Sequence, residues 1–148
     1  MILISHRGNI NGKILNLENN PSYILSAIDE GYDVEVDIWV KNNNLYLGHD
    51  EPQYHITDDF ILSNYERLWI HCKNFDSLVF LKDKKYDNVN YFWHETDKVT
   101  ITSKGYFWVY PGNQPIKNSI SVMPELNNDD LSKCIGICSD FIKNYTIF

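Results

Sequence analysis

Between Tyr32 and Asp50 the chain reads Y-D-V-E-V-D-I-W-V-K-N-N-N-L-Y-L-G-H-D, and this stretch constrains the fold more than any other. Val34, Val36 and Ile38 alternate with Asp33, Glu35 and Asp37, the period-two pattern of a strand, so Glu35 and Asp37 share one face. Two carboxylates on one strand face repel each other. They are tolerated where that face meets water, or where a cation or basic side chains sit between them. The polar turn Asn42-Asn43-Asn44 leads into a second apolar run, Leu45-Tyr46-Leu47. A hairpin-like return then brings Gly48-His49-Asp50 back beside the acid pair, a candidate metal-and-base cluster.

The rest of the chain supplies further strands with polar residues at their ends. Ile2 to Ser5 is an apolar run opening into His6-Arg7-Gly8. Pro21-Ser22, the apolar spacing Tyr23, Ile24, Ala27, Ile28 and a terminal Gly31 predict a helix that returns the chain to Asp33. Leu68 to Lys73 predicts a strand with His71 and Lys73 on one face, followed by a helix from Phe75 to Lys84. Shorter runs follow: Val89 to Trp93 before His94-Glu95-Thr96-Asp97, then Val99 to Thr102, Tyr106 to Tyr110, Ile120 to Met123 and Ile135 to Cys138.

Eight strand candidates with early helical crossovers predict a compact TIM-type β/α barrel with several outer helices shortened or missing, a single domain over residues 1–148. Catalytic groups of such barrels gather at the C-terminal strand ends, where the polar residues here cluster. Length and connection speak against full regularity. Such barrels typically hold ~250 residues, and Ser103-Lys104-Gly105 is too short for a parallel crossover, so an open mixed sheet is the alternative.

Composition narrows the function. At 43% hydrophobic over 148 residues the chain can bury one core. A net charge of -7 disfavours tight binding to nucleic acid or anionic membrane. No apolar run reaches the length of a membrane span and no signal peptide is apparent, so a cytoplasmic protein is expected. Cys72, Cys134 and Cys138 form no CxxC pair and read as free, buried side chains.

Taken together, His6-Arg7-Gly8, Glu18-Asn19 before a helix, Glu35-Val36-Asp37, Gly48-His49-Asp50 and Ile70-His71-Cys72-Lys73 resemble the glycerophosphodiester phosphodiesterase family, which belongs to the phosphoinositide phospholipase C-like barrel superfamily. The resemblance covers roughly the first half of the chain; in the second half only Gly136 to Asp140 looks like the family's last strand. It implies a phosphoric diester hydrolase of small-molecule substrates in which His6 and His49 act as acid and base. Arg7 and Lys73 would hold phosphate, while Glu35 and Asp37 bind one divalent metal ion. The family pattern points to Mg2+ or Ca2+, but where it carries an acidic ligand this chain has His71, which makes Mn2+ or Zn2+ possible. Within the superfamily a lyase that stops at a cyclic phosphate is the near alternative; a non-catalytic phosphate-binding module is the distant one.

Such residue types suit the chemistry. A phosphodiester repels nucleophiles and has a poor leaving group, so its cleavage needs charge neutralisation and a proton donor. Imidazole suits both proton transfers. Other strand-end residues are less specific. His94, Glu95 and Asp97 read mainly as loop polarity, Trp93, Trp108 and Tyr110 mainly as core, and His55 as a loop residue. Glu125 and Asp140 are candidates for orienting a site lysine or arginine.

Overall fold

A computed structural model describes residues 1–146. One ten-stranded mixed sheet organises the chain. Its strands are β1 (Ile2–His6), β2 (Asp33–Lys41), β3 (Asn44–Leu47), β4 (Tyr54–Ile56), β5 (Leu68–Cys72), β6 (Asn90–Trp93), β7 (Val99–Ile101), β8 (Phe107–Val109), β9 (Ser119–Val122) and β10 (Gly136–Ser139). Three short α-helices occur among the described residues: α1 (Pro21–Asp29), α2 (Asp58–Asn64) and α3 (Phe75–Leu81).

Parallel ladders run β6-β5-β2-β1-β10-β9-β8. The predicted hairpin forms: β3 returns antiparallel on the far half of β2, with Asn42 and Asn43 both left-handed in the turn, the backbone that a tight two-residue hairpin demands and that Asn tolerates. β7 lies antiparallel to β8, as their connection over residues 102–106, too short for a parallel crossover, requires.

The sheet is strongly curled. Five ladder steps separate β5 from β8, roughly 24 Å on a flat sheet at about 4.8 Å per step. Yet the Trp69 and Trp108 rings stack with centroids 5.7 Å apart, and Phe92 meets Trp108 at 4.8 Å. The concave face therefore has its own core of Ile4, Trp69, Phe92, Trp108, Ile120, Val122 and Cys138. On the convex face Val34, Val36, Ile38 and Ile70 pack with Ile24 and Ala27 of α1 and Leu81 of α3.

This architecture corrects the helix-ringed TIM-type barrel expected from the strand count. The strands form a curled half-barrel, and no α-helix lies between residue 82 and residue 146, where only three 3-10 turns occur. The runs after Trp93, Val109 and Val122 are too short or too rich in turns to supply the crossover helices that such a ring needs. β6 and β7 form no ladder; the Thr100 hydroxyl of β7 donates to Trp93 O of β6 at 2.9 Å, and Ser103 N, just past β7, donates to Tyr91 O at 2.7 Å. β4 and α2 were not anticipated, and His55, expected in a loop, lies in β4 opposite Tyr46. The three cysteines are free. No described helix is long and apolar enough to cross a membrane.

Candidate active site

Alternation places the side chains. On β2 the even-numbered residues face the convex core, which turns Glu35 and Asp37 to the concave side, where they are 3% and 0% exposed. The parallel register sets Asp37 beside His71 on β5, and β1 brings His6 beside Glu35. So the two acids are not a solvated strand face; basic groups surround them, as burial requires.

Asp37 is the hub. Its Oδ2 lies 2.8 Å from Arg7 Nε and accepts from Asn19 Nδ2 at 2.9 Å, while Asn19 Oδ1 accepts from the Asp37 backbone N–H at 2.9 Å. Its Oδ1 lies 3.1 Å from His71 Nδ1 and 3.8 Å from Lys73 Nζ. Burial alone would raise its pKa, but the His71, Arg7 and Asn19 contacts prevail and hold Asp37 far below the usual carboxylate range. Glu35 goes the other way. Its burial and the neighbouring Asp37 charge push its pKa up against the pull of His6, Arg7 and His71.

Arg7 is positioned by a strained turn. Its φ is 56°, its N–H donates to Glu35 O at 2.9 Å, its carbonyl accepts from Asn19 N at 3.1 Å, and Nη1 reaches Glu18 at 3.3 Å. Gly8 follows at φ +94°, and a Cβ there would stand 2.6 Å from the Tyr23 ring, so glycine is required by both space and conformation.

His6 is held by Asp140, Nδ1 to Oδ1 at 2.8 Å, and its Nε2 lies 3.8 Å from Glu35 Oε2. Burial lowers the imidazole pKa, yet the Asp140 hydrogen bond and the Glu35 charge win, so His6 titrates above its ordinary value. Asn9 ties the arrangement together by donating to both Asp140 at 2.7 Å and Glu18 at 3.0 Å.

His49 stands at the rim, its side chain 41% exposed and its Nδ1 2.7 Å from Asp50. The Trp39 indole N–H donates to Gly48 O at 2.7 Å, and Gly48 N donates to Asp37 O at 3.1 Å, which fixes this loop beside the acid pair. Partial burial and the Arg7 charge lower its pKa.

One cavity of about 370 Å3 is lined by His6, Arg7, Glu35, His49, His71 and Lys73, with His94, Glu95, Trp108 and Tyr110 on its far wall. The structure thus brings six of the seven candidate residues onto one cavity and puts the seventh, Asp37, directly beneath. A second cavity shares Arg7 and His49 and opens toward Lys13, Glu51 and Gln53.

Glu35, Asp37 and His71 can hold a metal ion: one donor atom from each lies within 4.8 Å of the others. Glu35 Oε2 and Asp37 Oδ1 are buried and make no aligned hydrogen bond, their basic neighbours being His6 Nε2 at 3.8 Å and His71 Nδ1 at 3.1 Å, so both oxygens are open to a shared cation. The donor set and its deficit both fit such an ion.

The roles of three contributors escaped the sequence reading. Asn19 entered only in the Glu18-Asn19 motif ahead of a helix, with no role given, and it is the clamp on Asp37. Asp140 was a candidate for orienting lysine or arginine and instead orients His6. His94 supplies its backbone carbonyl, 3.3 Å from His71 Nε2, while its ring stacks on Tyr110 and burial, then the His71 charge, depress its pKa to about 4. Asp140 had a usable signal in its place directly after an apolar run, and Asn19 in the motif that holds it. Glu125 takes Ser139 and Tyr145 as partners and stands apart from the cavity.

No protein-family model, no curated protein and no solved structure matches the chain.

Proposed function

We propose that the protein is a metal-dependent phosphodiesterase that cleaves small phosphodiesters of the glycerophosphodiester type. The observation that carries this reading is the convergence, on one cavity, of a three-donor metal-capable group with Arg7, Lys73 and two histidines. The resemblance of the His6-Arg7-Gly8, Glu35-Val36-Asp37 and Gly48-His49-Asp50 motifs to that phosphodiesterase family supports the same reaction.

Glu35, Asp37 and His71 hold one divalent ion, which when bound would supply Lewis-acid stabilisation of charge on a phosphoryl oxygen. Arg7 and Lys73 add fixed positive charge beside it in a largely buried site, where such charge counts for more than in water. His6 keeps the Nδ1 proton on its Asp140 side, so Nε2 is the atom that exchanges a proton in the cavity. His49, on the opposite rim and with a lowered pKa, is the complementary group. A substrate hydroxyl is one available nucleophile, and it would yield a cyclic phosphate; phosphorus NMR of the product separates that outcome from hydrolysis.

Chelator-stripped protein is expected to cleave bis(p-nitrophenyl) phosphate or a glycerophosphodiester only after divalent metal is restored, and to lose the activity again in EDTA. Absence of cleavage across magnesium, calcium, manganese and zinc with a panel of such diesters sinks the proposal. A second reading, a phosphate-binding module without catalysis, is favoured by the engagement of Arg7 with both Asp37 and Glu18. Phosphate binding that persists without any turnover would select it.

A further inference from the structure

We infer that the ion held by Glu35, Asp37 and His71 is a transition ion of the zinc class, which takes nitrogen ligands, not calcium or magnesium, because the His71 ring is fixed with Nδ1 turned toward the two carboxylates. The inference rests on the proposed metal site and concerns which ions that site takes.

The lock is built from outside the donor set. His71 Nε2 lies 3.3 Å from the His94 carbonyl oxygen. A carbonyl only accepts, so Nε2 is the donor there, and Nδ1 is the nitrogen left to offer a lone pair to an ion once any proton on it is displaced. Phe92 holds the ring plane, stacked at 5.2 Å and 8°. The carbonyl that accepts is itself steadied, because the His94 ring stacks on Tyr110 with centroids 3.4 Å apart. A metal-bound histidine typically donates its other ring N–H to a backbone carbonyl or carboxylate in this way.

On the other side Nδ1 faces Asp37 Oδ1 at 3.1 Å and Glu35 Oε1 at 3.9 Å. In the metal-free site this approach is the contact by which His71 helps to hold Asp37 ionised, and an ion taken between the two atoms would replace the proton they share. Asp37 Oδ2 is already occupied by Asn19, which aims Oδ1 at the same point as Nδ1. Two bonds of about 2.0–2.2 Å at a tetrahedral angle place ligand atoms about 3.4 Å apart, and the two observed separations straddle that value.

The surroundings disfavour hard ions. Calcium takes six to eight oxygens and magnesium a near-ideal octahedron of them. Two of the groups beside the carboxylates, Arg7 and Lys73, are cations and add no oxygen donor. Imidazole with carboxylate in a site of few ligands suits zinc, cobalt or ferrous iron.

The test uses the full chain stripped of metal, without substrate. Equilibrium dialysis is expected to show zinc and cobalt bound far more tightly than magnesium or calcium. Long-range proton–nitrogen NMR of the histidine rings is expected to show zinc shifting His71 Nδ1 while Nε2 keeps its hydrogen. His71→Asp is expected to lower zinc affinity by at least about 10–100-fold, the loss typical of disturbing even the outer shell, and to raise calcium affinity. Magnesium or calcium binding equal to zinc, or zinc binding that leaves the His71 ring unshifted, overturns the inference while leaving the phosphodiesterase reading intact. Binding of no ion by the stripped protein overturns both.

Discussion

His6→Ala is expected to lower turnover of a glycerophosphodiester by about 10²–10⁴-fold, the usual worth of a positioned general acid or base. Metal affinity should stay unchanged, because His6 is outside the donor group. The effect is specific to a proton-transfer role: the ring is held at Nδ1 by Asp140, and only Nε2 is free to serve the cavity. Asp140→Asn supplies the matching pH readout. It removes the carboxylate that raises the His6 pKa, so the limb of the pH–rate profile set by His6 moves toward lower pH, whether that limb reports the acid or the base form. Steady-state kinetics at saturating metal measure both. A loss below tenfold in His6→Ala, or an unmoved limb in Asp140→Asn, would remove His6 from the reaction.

The two carboxylates of the donor group are expected to have opposite effects on stability. In chelated protein Asp37→Asn should destabilise the fold by about 3–5 kcal/mol, the cost of removing one partner from a buried ionic cluster, since it strips Arg7, His71 and Lys73 of their shared counter-charge. Glu35→Gln should stabilise by about 0.5–2 kcal/mol, as relief of a strained functional site commonly does.

The pKa directions give the same signs. A depressed acid such as Asp37 contributes stability that is present above its unfolded pKa and is lost only as pH falls through its folded value. A raised acid such as Glu35 costs stability above its unfolded pKa, so the chelated parent gains stability as pH falls through the folded Glu35 pKa, and Glu35→Gln abolishes that slope. Both variants should lose metal binding. Denaturant unfolding in EDTA across pH measures the pair, and equal destabilisation by both would show that Glu35 is structural.

Much of the site was legible because strand alternation is a strict rule. The spacing of Glu35 with Asp37, and of His71 with Lys73, put each pair on one face before any coordinates, and the parallel register merely laid the pairs side by side. Burial of the acids was not legible. A charged strand face is usually solvated, and only the curl of the sheet and the basic groups from two other segments, His6-Arg7 and His71 with Lys73, make the buried state tolerable.

The expected barrel failed for a related reason. Apolar runs reveal strands but not what covers them, and the later connections were too short for helices. The His94 carbonyl acts through the backbone, which no residue pattern advertises, and the Glu18-Asn19 motif gave no hint that a left-handed turn would aim the Asn19 amide at Asp37. Asp140 was visible as a strand-end acid, but its partner depends on β10 lying next to β1, a pairing of residues more than a hundred positions apart.

The most direct test is anomalous diffraction from crystals grown with manganese or zinc. The expected result is one peak bonded to Glu35, Asp37 and His71 Nδ1, at about 2.0–2.2 Å from each if the ion is zinc, with Arg7 and Lys73 flanking the same cavity. A peak elsewhere, or no peak with Arg7 and Lys73 closed upon both carboxylates, would contradict a metal-dependent centre.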